Sequence, residues 1–306
     1  MLCSLVSNGA LVTPERPDTT VPWWSFTKTV LAAAALSLVR DRLINLDDTV
    51  AEGPFTLRQL LRHEAGLADY GELVDYHNAV ARHETPWSAD DMLQRLDASR
   101  LRYAPGDGWR YSNVGYLFVA RLIERVTGRT LEAALTERVF APLGLTRVRL
   151  VKTQADLEGV NMGSAPSYDP GWVYHGLLVG PLEEAALCLV GLLARNLLPN
   201  PLLQAMQTAR VLGGPIPGRP WTPPGYGLGL MQGLVMGELT LSGHTGAGPG
   251  SVVAVYRCVD GENAASCAVF HIGANEGVAE AEVVERLSAV LGKNRQKSRN
   301  PSQQGL

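Results

Sequence analysis

Cysteine is scarce in this chain. Its 306 residues include only Cys3, Cys188, Cys258 and Cys267, with no CxxC pair and no zinc-ligand spacing. That excludes a disulfide-stapled scaffold and a zinc ribbon as the source of stability. Cys258 and Cys267 flank the turn-like stretch CVDGENAASC and are expected to face each other across two strands, as packed thiols or as a cross-strand disulfide. Long apolar runs are lacking as well. The longest, Val30 to Val39, is far short of the roughly 20 residues a helix needs to cross a bilayer. Charge of one sign is also missing: 27 Lys and Arg against 30 Asp and Glu leave a net charge of −3. There is no electrostatic reason to expect nucleic acid or an anionic membrane as a partner. The opening MLCSLVSNGALVTPERP has no basic leader followed by an apolar run. As written it predicts a cytoplasmic protein, or a periplasmic one if an export signal has been trimmed from its start. No internal repeat is present.

What remains is an ordinary globular composition, 46% hydrophobic and 19% charged, read as one compound domain over 1–306. Two short apolar runs around Asn8-Gly9 predict a hairpin, because both residues tolerate positive φ. Pro14, Pro17 and Pro22 hold the chain extended up to Ser25. An alanine- and leucine-rich stretch from Thr27 to about Arg42 predicts a buried helix. A second helix starts behind Thr56 and stops near Gly66, and a third ends at Gly128. The Gly/Pro-rich GGPIPGRPWTPPGYGLG is expected to be a long ordered loop rather than regular structure. GELTLSGH, SVVAVYRC and SCAVFHIGA read as strands, followed by a final helix and a mobile polar tail over about 293–306. With strands at both ends and helices between, the expected class is α+β. One antiparallel sheet takes about 1–24 and 233–292, with a helical lobe over about 25–232 inserted. A cleft between sheet and lobe is the natural ligand site.

Three short elements carry the chemistry. In SFTK, Ser25 and Lys28 stand three apart where a helix begins, on one face. A serine hydroxyl is a poor nucleophile until a base removes its proton, and a lysine buried among Trp23, Trp24 and Phe26 can be lowered far enough to act as one. A capping serine followed by a lysine reaching to solvent is the plainer alternative. In RYSNVGY, Tyr111 can share a proton with that pair and Asn113 can offer its amide to a substrate carbonyl while hydrogen-bonding Lys28; the plainer alternative is that Ser112 or Asn113 caps the helix and Tyr111 is core. In GHTGAGPG, His244, Thr245 and Gly246 end a strand, and the glycines permit close backbone approach. The backbone N–H groups of Ser25 and Ala247 would then form a two-donor pocket for an acyl oxyanion.

These elements, in this order, resemble the SxxK, YxN and [KH]TG motifs of the serine β-lactamase and penicillin-binding protein superfamily, specifically its class C β-lactamase-related branch. The flanks SFTKTVLAAAALSLVRDRLINLDDTV, TLRQLLRHEAGLADY, YSNVGYLFVARLIERVTGRT, YGLGL and GHTGAGPGS are similar to that branch too, over most of 22–275. The resemblance implies a β-lactamase/transpeptidase-like fold and an acyl-enzyme mechanism. Ser25 would be the nucleophile, Lys28 and Tyr111 would share acid and base duty, Ser25 and Ala247 would hold the oxyanion, and Asn113, His244, Thr245 and Gly246 would bind substrate. It calls for no metal and no cofactor. His244 stands where many members carry a lysine, and a partly protonated histidine should attract a substrate carboxylate less. The expected substrate is therefore a small ester or a D-amino-acid amide or peptide, ahead of a β-lactam. A non-catalytic, penicillin-binding-protein-like ligand binder is the alternative. Only 24 residues precede Ser25, fewer than members usually carry, so a short sheet edge is expected. His63 reads as an organiser of its loop, His175 as a substrate-side loop residue without a motif, and Trp172, Tyr174, Trp221 and Tyr226 as cleft-lining or loop-packing aromatics.

Overall fold

The structure, a computed structural model, describes residues 1–14, 19–194, 197–236 and 239–299. Strands β1 (Leu2–Ser7) and β2 (Ala10–Pro14) pair antiparallel about Asn8 and Gly9, whose φ values of 48° and 81° give the turn its left-handed backbone. Pro17, in the segment expected to be extended, lies outside the described residues. Strands β3 (Thr20–Pro22), β4 (Arg149–Val151) and β5 (Leu177–Pro181) make a small second sheet in the order β3-β5-β4, which the sequence did not announce. The remaining strands, β6 (Arg210–Val211), β7 (Trp221–Tyr226), β8 (Met231–Val235), β9 (Leu239–Gly248), β10 (Ser251–Asp260) and β11 (Asn263–Ile272), join the first hairpin. Together they form one antiparallel sheet in the order β2-β1-β11-β10-β9-β8-β7-β6. Both chain ends therefore feed one sheet.

Strand β10 lies at the centre and explains its own sequence. Val252, Ala254 and Tyr256 face one side, packed with Ala279, Val283 and Leu287 of the C-terminal helix Glu276–Arg299. Val253 and Val255 face the other side and merge with the core of the helical lobe. A strand buried on both faces reads as an unbroken apolar run instead of an alternating one. Within the lobe, the helix Thr27–Arg40 is buried from Thr27 through Leu38. Its run of four alanines, Ala32 to Ala35, lets neighbouring helices approach closely. The helix Asn113–Thr127 is capped by the Ser112 side chain and ends at Gly128 with φ 63°. Thr56 and Gln59 close a capping box at the start of Leu57–Leu61.

Three expectations fail. WTPPGY is not loop but strand β7, paired with β8 and β6. Its register slips between Trp221 and Pro224, and an irregularity of that kind is where a sheet tolerates proline. The sheet accordingly draws on 210–235 as well as the later strands. The cysteines are also arranged differently. Cys258 stands opposite Ala265 and Cys267 opposite Tyr256, so they do not face one another; Cys267 Sγ instead lies 3.6 Å from Cys3 Sγ on β1. None of the four cysteines is in a disulfide. The C-terminal helix runs to Arg299, into the segment read as a polar tail, while 300–306 lie outside the described residues. Among the described residues no helix is long and apolar enough to cross a membrane.

Candidate active site

The small sheet delivers the chain to Ser25. The Trp23 backbone N–H donates to Leu178 O at 2.8 Å and its indole N–H to Gly180 O at 3.2 Å, tying the end of β3 to β5. Trp24 then takes a left-handed φ of 41°, a conformation that costs a non-glycine residue on the order of 1–3 kcal/mol. Its indole N–H holds Ser251 Oγ at 3.0 Å, and its ring lies so close to Gly248 that a Cβ there would collide with it. This forced turn puts Ser25 on a 3₁₀ turn, Trp24–Phe26, with Lys28 in the first turn of the helix that follows.

Ser25 Oγ accepts from Lys28 Nζ at 3.1 Å and from the Tyr111 hydroxyl at 3.0 Å. Lys28 is fully buried, and its Nζ also lies 3.1 Å from His175 Nε2. The rings of Tyr111 and Tyr116 face the same nitrogen at 5.1 and 5.8 Å. Burial lowers Lys28 from the ordinary lysine value of 10.5 to about 7, against the through-space pull of Asp69. Burial pushes the Tyr111 phenol well up, only partly offset by its bond to Ser25. Near neutrality the amine gives up its proton readily and the phenol does not.

Asn113 is placed otherwise than expected. Its backbone N–H donates to Asp69 Oδ1 at 2.9 Å and its amide nitrogen to Asp69 Oδ2 at 3.1 Å, so the amide is held by a carboxylate and not by Lys28. Burial raises the Asp69 carboxyl, opposed by these bonds and by Lys28. His63 Nδ1 accepts from the Ser112 N–H at 3.1 Å, and its ring packs 4.3 Å from that of Tyr111. Burial, with the charge of Lys28, holds His63 well below the ordinary histidine range.

Strand β9 passes directly beside Ser25. A Cβ on Gly246 would strike the Ser25 backbone nitrogen, so only glycine allows this approach, and Ala247 follows as a residue lining the cavity. The flanking side chains are committed elsewhere. His244 Nε2 meets the Tyr226 hydroxyl at 2.9 Å and Nδ1 meets Thr245 O at 2.7 Å. A carbonyl can only accept, so Nδ1 carries the proton and Tyr226 donates to Nε2. Burial, followed by the nearby Lys28 charge, takes His244 down to about 3, which corrects the expectation of a partly protonated ring. Thr245 Oγ1 donates to Glu280 Oε1, which also accepts from Tyr256. Glu280 is paired with Arg219, whose guanidinium also reaches Glu276.

These groups open onto one cavity of about 780 Å³, lined by Ser25, Tyr111, Asn113, His175, His244 and Ala247 among others. Tyr226 lines it, whereas Trp221 is buried against Tyr256 in the core beneath the C-terminal helix. Arg219 and Glu276 line it as well. Asp69, Arg219 and Glu276 went unremarked in the sequence, since none sits in a recognisable spacing. His175 was noticed there but not connected to Lys28, from which 147 residues of chain separate it. Among the described residues no group of three or more His, Cys, Asp or Glu is arranged to hold a metal ion.

A model of the Beta-lactamase family matches residues 5–283. The chain belongs to the Beta-lactamase family. This family member is 27% identical over 291 residues to a D-aminopeptidase of Brucella ovis, covering 90% of this chain and 54% of that protein. It is 34% identical over 152 residues to a D-aminopeptidase of Brucella anthropi, covering 47% of this chain and 28% of that protein. It thus spans about half the length of the D-aminopeptidases it follows along most of its own length. Among solved structures, the D-amino acid amidase of Ochrobactrum anthropi SV3 superposes with a TM-score of 0.76 at 22% identity, covering 95% of this chain and 94% of that one. The octameric penicillin-binding protein homologue of Pyrococcus abyssi gives 0.75 at 21%, covering 95% and 73%. At such identities the likeness is one of fold.

Proposed function

We propose that this Beta-lactamase-family chain is a serine hydrolase that cleaves a small amide or ester of a D-amino acid through an acyl-enzyme on Ser25. The observation that carries the reading is the meeting of Lys28 Nζ and the Tyr111 hydroxyl on Ser25 Oγ, at 3.1 and 3.0 Å, in the wall of an open cavity. Neutral Lys28, well populated near its value of about 7, takes the Ser25 proton as Oγ bonds to the substrate carbonyl carbon. The carbonyl electron pair moves onto oxygen, and the backbone N–H groups of Ser25 and Ala247 receive that oxyanion. On collapse the bond to the leaving group breaks, Tyr111 protonates the departing amine or alkoxide, and the Lys28 ammonium restores the phenol. Water then attacks the acyl ester along the same route in reverse and frees the acid.

Three features support a substrate with a free ammonium over one with a carboxylate. His244 is neutral. The Arg219 cation is engaged by Glu280 and Glu276. Glu276 brings a carboxylate to the cavity lining. The D-configuration rests on the names of the relatives.

The test exposes the full chain to a fluorophosphonate probe and to p-nitroanilides of D- and L-alanine. Labelling of Ser25 and preferential turnover of the D-anilide are expected. Folded protein that is not acylated at Ser25 and cleaves no D-amino-acid amide, ester or β-lactam would discard the reading in favour of a non-catalytic binder.

A further inference from the structure

Lys28 is fully buried and His175 nearly so, their nitrogens 3.1 Å apart, and the buried His175 Nδ1 has no hydrogen-bond partner among the described residues. An orphaned buried polar atom behind the wall of a cavity calls for a physical reason, and the geometry around Lys28 supplies one. A neutral amine offers two N–H bonds and one lone pair, and it turns freely about its last carbon–nitrogen bond. Its hydrogen-bonding neighbours Ser25 Oγ and His175 Nε2 lie at the same 3.1 Å distance. The amine can act as a base only when its lone pair points at Ser25. If that lone pair were spent on an N–H of His175, the serine proton would have nowhere to go.

We propose that His175 is a positioning residue for Lys28: held as the Nδ1–H tautomer, its Nε2 accepts an N–H from the lysine and so keeps the lysine lone pair on the Ser25 hydroxyl. The charge state of Lys28 sets the tautomer. An ammonium has no lone pair, so Nε2 facing it must accept and the ring proton must sit on Nδ1. When the ammonium gives up a proton, the acceptor at Nε2 is already in place, and exchanging the two ring protons would need a relay at Nδ1 that no protein group provides among the described residues. The unpartnered Nδ1–H is thus the cost of a fixed acceptor at Nε2. His175 itself stays uncharged: burial, then the fields of Lys28, His244 and His63, hold it well below the ordinary histidine range. The groups facing the pair are Ser25, Tyr111 and Tyr116 around Lys28, with Asp69, His63 and His244 acting through space. With the histidines neutral, Asp69 is, among the described residues, the carboxylate that acts on this amine.

The inference rests on the hydrolase reading, and one experiment separates their failures. The rate of Ser25 acylation by a fluorophosphonate is measured against pH for the full chain and for His175→Leu, His175→Gln and His175→Glu, each first shown by thermal melting to be folded. Wild-type acylation should rise with pH through about 7 as Lys28 loses its proton. His175→Leu, which cannot accept, should be slower on the order of 10- to 100-fold. His175→Gln, whose side-chain oxygen can accept, should recover most of that loss. His175→Glu should move the rise to higher pH, because an adjacent carboxylate stabilises the ammonium. A merely structural histidine would change melting without this pattern. Wild-type-like acylation in His175→Leu, no recovery in His175→Gln, or an unmoved rise in His175→Glu overturns the inference alone. Unlabelled wild-type protein overturns it together with the hydrolase reading.

Discussion

On the helical wall of the cavity, Lys28 is buried beside a serine, a histidine and two phenol rings, and burial strips it of much of its proton affinity. On the strand wall, Arg219 is largely buried too, but Glu280 meets it with two hydrogen bonds and Glu276 with a third. Thr245 and Tyr256 complete the shell of Glu280. Both walls take a cation out of water. One leaves it without a direct counterion among the described residues and so makes it reactive; the other pairs it and makes it rigid. A cation that binds or loses a proton during a reaction belongs on the first wall, and one that fixes the strand end beside Ser25 belongs on the second.

The largest effect that would break this contrast lies on the helical wall. Ser25→Ala should lower hydrolysis by on the order of 10⁴-fold or more, since residues acting as a unit fail together, and steady-state turnover of a D-alanine anilide measures it. Lys28→Met should lose about 10²- to 10⁴-fold, the range of a general base. It should also be more stable than wild type at pH 6. The sign follows from the proton count. Lys28 titrates near 7 when folded and near 10.5 when exposed, so between those values the unfolded chain binds the extra proton and wild-type stability climbs with pH. Below pH 7 both states are charged and the buried ammonium carries its full penalty. The advantage of Lys28→Met should therefore shrink from pH 7 towards pH 10. A variant less stable than wild type at pH 6 would mean that the lysine is not under that penalty.

On the strand wall the same kind of deletion should act on stability. Arg219→Met strands the Glu280 carboxylate, which is fully buried, and should cost about 3–5 kcal/mol in chemical denaturation. Replacing Glu280 by Met in the same chain should return much of that loss, because the buried charge then goes with its partner and only the part-exposed Glu276 carboxylate is left unpaired. If Arg219→Met melts like wild type, the two walls do not differ as described.

Sequence made one wall far more legible than the other. Ser25 and Lys28 lie three apart in one turn and Tyr111 stands at a helix start, so short-range pattern was enough to nominate groups whose atoms do meet. The hairpin at Asn8-Gly9 and the helix stop at Gly128 were readable for the same reason, since each is set by the φ of one or two residues. Strand β7 was not readable, because its prolines are tolerated only through a register slip against β8 that no local pattern encodes. Cys267 beside Cys3, and His175 beside Lys28, depend on how distant segments stack. Asp69 is hidden differently: it follows a helix without any spacing cue, and its importance appears only once Asn113 is folded onto it.

The smallest expected effect concerns the rim where the two walls face the same substrate. Glu276 gives one carboxylate oxygen to Arg219, its side chain is about one-third exposed, and it lines the cavity. Arg219 with Glu276 and Glu280 sums to one excess negative charge, while His244 contributes none. Glu276→Gln keeps a hydrogen-bond acceptor for Arg219 but removes that excess. For a D-amino-acid amide with a free ammonium, KM should rise roughly tenfold, the scale of about 1.5 kcal/mol for a hydrogen bond to a charged group. The N-acetylated ester of the same amino acid carries no cation, so its KM should hold. Burial raises the Glu276 carboxyl, with Arg219 opposing, so the wild-type preference for the free amine should fade as the pH falls through that carboxyl's titration. Added salt should weaken it too, because this edge of the site is open to solvent. Equal rises in KM for both substrates would assign Glu276 to holding the C-terminal helix in place, and an unchanged KM for the free amine would move ammonium recognition to another part of the cavity.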